Sequence, residues 1–231
     1  DDVEVLEGLN AGDRIVTSAN FLLDAESKLA SASSMQAMMG RIGMADWQMR
    51  GAYEGKMEGM DMGSTGCGNW IPADQALAVG DGTNPVIQAV NECIRVTNLA
   101  GAILGGPWSL QSFFGVASTV SVCDPRALFD WRNHRFIVIA ITCSAPYTSK
   151  VAVSQADNPL GGWWIYTFSS ISSTGAIMDY PRLGQDHTAT YPGSGFAGGI
   201  YIAYNLFNPG YVHEEWHILP KGPMYAGGGF S

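Results

Sequence analysis

Residues 124–140 read DPRALFDWRNHRFIVIA. Asp124-Pro125-Arg126 makes a corner, Leu128-Phe129-Asp130 follows, and Arg132-Asn133 marks a turn. Phe136-Ile137-Val138-Ile139-Ala140 is then an unbroken apolar run, the length of a buried strand and too short for an ordinary helix. The same plan occurs twice more. Pro72-Ala73-Asp74 leads to Leu77-Ala78-Val79-Gly80-Asp81 and then Val86-Ile87-Gln88-Ala89-Val90. Asp179-Tyr180-Pro181-Arg182 leads to Leu183-Gly184-Gln185-Asp186 and then Ile200-Tyr201-Ile202-Ala203-Tyr204. The leading aspartates Asp74, Asp124 and Asp179 stand 50 and 55 residues apart. A period of about 40–50 residues with several short strands per unit predicts propeller blades. The expected fold is therefore mainly β, with an incomplete β-propeller-like array of about three blades across residues 67–231.

Further strands are expected at Cys93–Thr97, Val151–Ser154 and Trp163–Phe168, punctuated by Gly, Asn and Pro. At the Asp-Pro corners Pro fixes φ while Asp caps backbone N–H groups. Residues 70–221 resemble a family of exported bacterial β-propeller-like proteins of unsettled activity. The matching phrases are Ile71–Asp74, Ser109–Gly115, Asp124–Arg126, Val151–Gln155 with Asp157–Pro159, Gly162–Trp164 and Asp179–Gly184. A propeller closes with about 4–8 blades. Three blades leave open sheet edges that invite pairing, so the expectation is a truncated chain or self-association with another copy.

The first 66 residues read differently. Val3–Leu9 and Arg14–Ser18 are expected to form a strand pair around Asn10-Ala11-Gly12-Asp13. A helix is expected from the N-cap Asn20 to about Ala30, so residues 1–34 make a small hairpin-and-helix piece. Residues 3–29 resemble the C-terminal end of the periplasmic adaptor subunits of heavy-metal efflux pumps of the resistance-nodulation-division class. That resemblance implies efflux-pump subunits as partners. Residues 35–66 form a Met- and Gly-rich linker. Thioether sulfur is a soft ligand suited to Cu(I) or Ag(I), and Met57, Met60 and Met62 in KMEGMDMG are the candidate ligands. The competing reading is a plain linker, or adaptable packing material.

The 231 residues carry a net charge of −9, and only 14% are charged. No basic patch for nucleic acid is visible. No apolar run approaches the roughly 18 residues of a membrane span, and no signal peptide is evident. The four cysteines, Cys67, Cys93, Cys123 and Cys143, make no zinc spacing. In an exported chain they allow two disulfides in any of three connectivities, and buried free thiols are the alternative. The two resemblances imply a periplasmic or secreted location.

Candidate chemistry is sparse. His213-Glu214-Glu215-Trp216-His217 fits the HExxH pattern of zinc peptidases, which needs a helix and a third ligand. Gly210 and Pro220 bound this segment, and its composition suits a strand better, so zinc is disfavoured. Asp124, Asp130, Asp179 and Asp186 suit either structural capping or a channel that binds Ca²⁺ or a sugar. His187 beside Asp186 reads as a solvated loop. Trp163, Trp164 and Tyr166 suggest a sugar-stacking platform, with at most one Trp available because strand neighbours face opposite ways. No nucleophile motif occurs. These readings favour a non-enzymatic envelope protein, an adaptor-related Cu/Ag efflux piece joined to a propeller-like scaffold. The alternatives are a secreted propeller that binds or cleaves glycan and, behind it, a zinc peptidase.

Overall fold

In the computed structural model, residues 74–82, 85–189 and 197–229 are described. The expected adaptor-like piece (1–34), the linker (35–66) with Met57, Met60 and Met62, and Cys67 lie outside them.

Three antiparallel meanders follow one another. The first pairs β1 (Ala76–Val79), β2 (Val86–Val90), β3 (Cys93–Thr97) and β4 (Ile103–Ser109) in sequence order. The second pairs β5 (Val122–Asp130), β6 (Arg135–Thr142), β7 (Ser149–Ser154) and β8 (Trp163–Phe168). The third pairs β9 (Ile177–Gln185), β10 (Gly199–Phe207) and β11 (Tyr211–Pro220). The opening strand of the second sheet, β5, lies against both β1 and β9.

The apolar run in β6 explains the stacking. Side chains alternate across a strand. Phe136, Val138 and Ala140 pack with Ile87, Ala89, Ile94 and Val96 of the first sheet. Ile137, Ile139 and Ile141 pack with Ile200, Ile202, Tyr204 and Leu206 of the third. A middle sheet covered on both faces needs such an uninterrupted run. Burying each of the Phe, Val, Ile and Leu side chains contributes about 1.5–3 kcal/mol.

Two short helices punctuate the β structure. The all-β reading did not anticipate α1 (Leu110–Phe114), which starts on the Ser109 hydroxyl accepting the Ser112 N–H and stops at Gly115 in the left-handed region, φ 62°. The second, α2 (Lys221–Tyr225), follows Pro220.

The Asp-Pro corners prove to be bulges inside strands. The β5–β6 register shifts between Cys123 and Arg126, and the β9–β10 register shifts between Ala203 and Asn205, opposite Tyr180-Pro181. Asp124 and Tyr180 hold φ of 52° and 51° immediately before proline. The structural counterpart of Asp124 is therefore Tyr180, one residue beyond the aspartate that the repeat spacing aligns. Proline has no N–H to donate, so it fits where the ladder is interrupted.

Cys123 and Cys143 form a disulfide with a Cα–Cα distance of 6.0 Å. Cys93 is also disulfide-bonded. The free-thiol alternative is thereby removed for these three cysteines.

Candidate functional site

The outer face of the third sheet differs from every face buried between sheets. Ile200, Ile202, Tyr204 and Leu206 point toward the second sheet, so Tyr201, Ala203 and Asn205 of β10 point away from it. Strand pairing sets their neighbours. Asn205 lies between Asp179 and Glu214, Ala203 between Arg182 and Trp216, and Tyr201 between Gly184 and Ile218. This face thus carries an acid–amide–acid row, then a row with Arg at one side and Trp at the other, then a row ending at glycine.

Small Ala203 lowers the floor of the middle row. Tyr180, Arg182, Asn205, Glu214 and Trp216 enclose the resulting groove. Trp216 is 66% exposed and Tyr180 44%. The Arg182 guanidinium stacks 3.9 Å from the Tyr180 ring centroid, and that of Arg126 lies 5.4 Å from it. Tyr211 donates its hydroxyl proton to Glu214 across 2.5 Å. That bond holds the Glu214 carboxyl below its usual range, so it is ionised at neutral pH and accepts further hydrogen bonds.

Tyr180 joins this groove to a polar chain crossing all three sheets. Asn91 donates to Asp74 at 2.8 Å, the Asp124 N–H donates to Asn91 at 2.7 Å, and the Tyr180 N–H donates to Asp124 at 3.3 Å. Burial, followed by the charges of Asp74 and Asp179, raises the Asp124 carboxyl above its usual value.

The aspartates weighed for calcium or sugar mostly cap backbone. Asp130 accepts the Arg132 and Asn133 N–H groups. Asp186 accepts those of Thr188, Ala189 and Gly199 together with the Tyr201 hydroxyl. Led by the Ala189 N–H, these bonds hold Asp186 far below the ordinary carboxylate range. Among the described residues no three His, Cys, Asp or Glu side chains are grouped as a metal site.

His213 and His217 lie on strand β11, as the flanking Gly and Pro suggested. Four residues span about 13 Å along a strand, too far for both imidazoles to reach one zinc ion. Glu215 instead pins the loop after β8. It accepts the N–H groups of Ile171 and Ser172, the Ser170 and Ser172 hydroxyls, and His217 Nε2 at 2.6 Å. Burial works against ionisation, but the Ser172 and His217 bonds more than offset it and hold Glu215 at about 2. The Ser172 hydroxyl also meets His213 Nε2 at 2.8 Å. Its single proton goes to Glu215, too weak a base to activate a nucleophile.

The expected aromatic platform separates as strand alternation requires. Trp163 packs against Phe113 and donates to the Pro159 carbonyl. Tyr166 donates to the Met224 carbonyl. Trp164 is 37% exposed. The more accessible ring is Trp216, which sequence reasoning placed inside the HExxH pattern and did not weigh as a platform. Its signal was the exposed parity of Val212, Glu214, Trp216 and Ile218.

His187 takes part in a buried polar cluster at the far end of β5. The Lys221 ammonium lies 2.7 Å from Asp130, 3.1 Å from Gln185 Oε1 and 3.1 Å from His187 Nδ1. His187 is thus part of a structural anchor, not the free loop residue expected.

No family model matches the chain, and no curated protein does. Two crystal structures of an exo-β-1,3-galactanase from Phanerochaete chrysosporium, one with β-1,3-galactotriose and one with galactose, are similar at 13% identity with TM-scores of 0.35 and 0.36. The likeness covers 67% of this chain and 40% of theirs. At those scores it carries no argument about the site.

Proposed function

We propose that this chain is a carbohydrate-recognising, propeller-like module whose three sheets act as blades and whose ligand lies in the Tyr180–Trp216 groove. The observation that carries this reading is the pairing of two accessible aromatic rings with Asn205, Glu214 and Arg182 in one concavity. Sugars offer apolar C–H faces that suit an aromatic platform, and hydroxyls that suit planar polar side chains. A further protein sheet is a poorer occupant. The two observed sheet–sheet interfaces have apolar cores, whereas this face carries Asp179, Asn205 and Glu214 in one row. Burying unpaired carboxylates costs several kcal/mol each. Disulfide bonding supports an exported location.

The test is titration of the full chain with a panel of oligosaccharides, followed by Trp fluorescence and calorimetry. Trp216→Ala lowers affinity by more than about tenfold, the loss expected of an anchoring aromatic, while Trp164→Ala leaves it unchanged. Binding to no glycan, together with dimerisation abolished by Trp216→Ala, would show the face to be a protein interface instead.

The adaptor-like reading of residues 3–29, with Cu(I) held by Met57, Met60 and Met62, is a separate proposal about segments outside the described residues. Anaerobic Cu(I) titration of the chain and of its Met57/Met60/Met62→Leu variant tests it. Equal binding by the two would remove those methionines as ligands.

A further inference from the structure

We infer that the glycan taken by this groove is anionic, and that Arg182 reads the carboxylate of a uronic-acid residue. This rests on the glycan reading above and names its substrate class. The Arg182 side chain is exposed, and its guanidinium makes no hydrogen bond or ion pair among the described residues. Its neighbour Arg126 is committed differently, donating to the Pro125 carbonyl at 2.7 Å and lying within the field of Asp124. The Tyr180 ring holds the Arg182 fork from one side at 3.9 Å. A stacked guanidinium keeps its in-plane donors free for a carboxylate, which it binds as a bidentate pair.

The registers show where that carboxylate fits. Asp179 and Glu214 occupy the row on one side of Arg182, about 7 Å away along the strand, and repel an anion there. On the other side stands Gly184, where an added Cβ would meet nothing within 4 Å. Open space therefore adjoins the arginine on that side, where the next carboxylate, Asp186, stands about 13 Å along the strand from Arg182 and is bonded by the Tyr201 hydroxyl and three backbone N–H groups. The acid–amide–acid row is left to accept hydroxyl protons from the adjoining sugar, and Trp216 faces Arg182 across Ala203. A neutral glycan would leave the arginine without its partner.

The discriminating experiment compares a trisaccharide carrying a single terminal uronic acid with its methyl ester, which has the same rings and no charge. Calorimetry on the full chain gives roughly tenfold tighter binding of the acid. Arg182→Gln abolishes that preference but retains binding of the ester, and Arg182→Lys keeps a part of it. Gly184→Trp fills the open space and weakens the acid more than the ester. Equal affinity for acid and ester, or a preference that survives Arg182→Gln, overturns the inference. If the ester still binds in a Trp216-dependent way, the glycan reading stands without it. If neither trimer nor any neutral glycan binds, both readings fall.

Discussion

The ammonium of Lys221 lies 2.7 Å from the carboxylate of Asp130, and both side chains have 0% exposure. Lys221 opens α2 and Asp130 ends β5, so this ion pair anchors the last described helix to the middle sheet. The Tyr225 hydroxyl adds a 2.6 Å bond to the same carboxylate. Burial alone would raise the Asp130 carboxyl, but bonds from Asn133, Lys221 and Tyr225 hold it at about 2.

Removing one partner of such a pair leaves an uncompensated charge. Lys221→Met is expected to cost about 3–5 kcal/mol in urea unfolding. Adding Asp130→Asn should recover much of that loss, because the stranded charge is then gone while an amide oxygen still accepts the Arg132 and Asn133 N–H groups. A double variant no more stable than the single one would mean that the pair is not coupled.

Acid should unfold the protein through the same carboxylates. Asp130 and Glu215 are held at about 2, below their unfolded values of about 4. Their stabilisation is fully present above about pH 4 and is lost as pH falls through about 2. Thermal midpoints should be nearly flat from neutrality to about pH 5, then drop steeply. Glu215→Gln should lower the midpoint at neutral pH and flatten the acid limb. A wild-type midpoint unchanged at pH 2 would contradict this.

The Cys123–Cys143 bridge closes a separation of 20 residues between the start of β5 and the end of β6. Constraint of the unfolded chain over such a loop is worth about 3 kcal/mol. Replacing both cysteines by alanine should lower stability by that amount without changing oligomeric state. A loss below about 1 kcal/mol would assign the bridge little thermodynamic role.

Trp216 is accessible and should be dispensable for folding. Trp216→Ala is expected to shift stability by no more than about 0.5 kcal/mol, whereas Ile139→Ala in the core costs about 2–5 kcal/mol. Chemical denaturation of the two variants separates a binding defect from a folding defect. A large loss at Trp216 would make it a packing residue and weaken the glycan assignment.

Much of the β structure is legible locally. The runs at Phe136–Ala140 and Ile200–Tyr204 announce strands because backbone alternation and apolar burial act within a few residues of one another. Gly210 and Pro220 likewise mark His213–His217 as part of a strand before any contact is known. The mainly β class, the strands around the repeated corners and the weakness of the zinc pattern follow from this short-range information.

The groove was not legible, because cross-strand register decides it. Asp179, Asn205 and Glu214 become neighbours, as do Arg182, Ala203 and Trp216, through pairing across β9, β10 and β11. A one-residue slip would send each of these side chains to the opposite face. The bulge at Tyr180-Pro181 inserts such an offset, and repeat spacing in the sequence could not place it. Local alternation therefore sufficed to make strands of these residues. Only their pairing into a third sheet, with one face packed and the other open, decided which rings and charges meet.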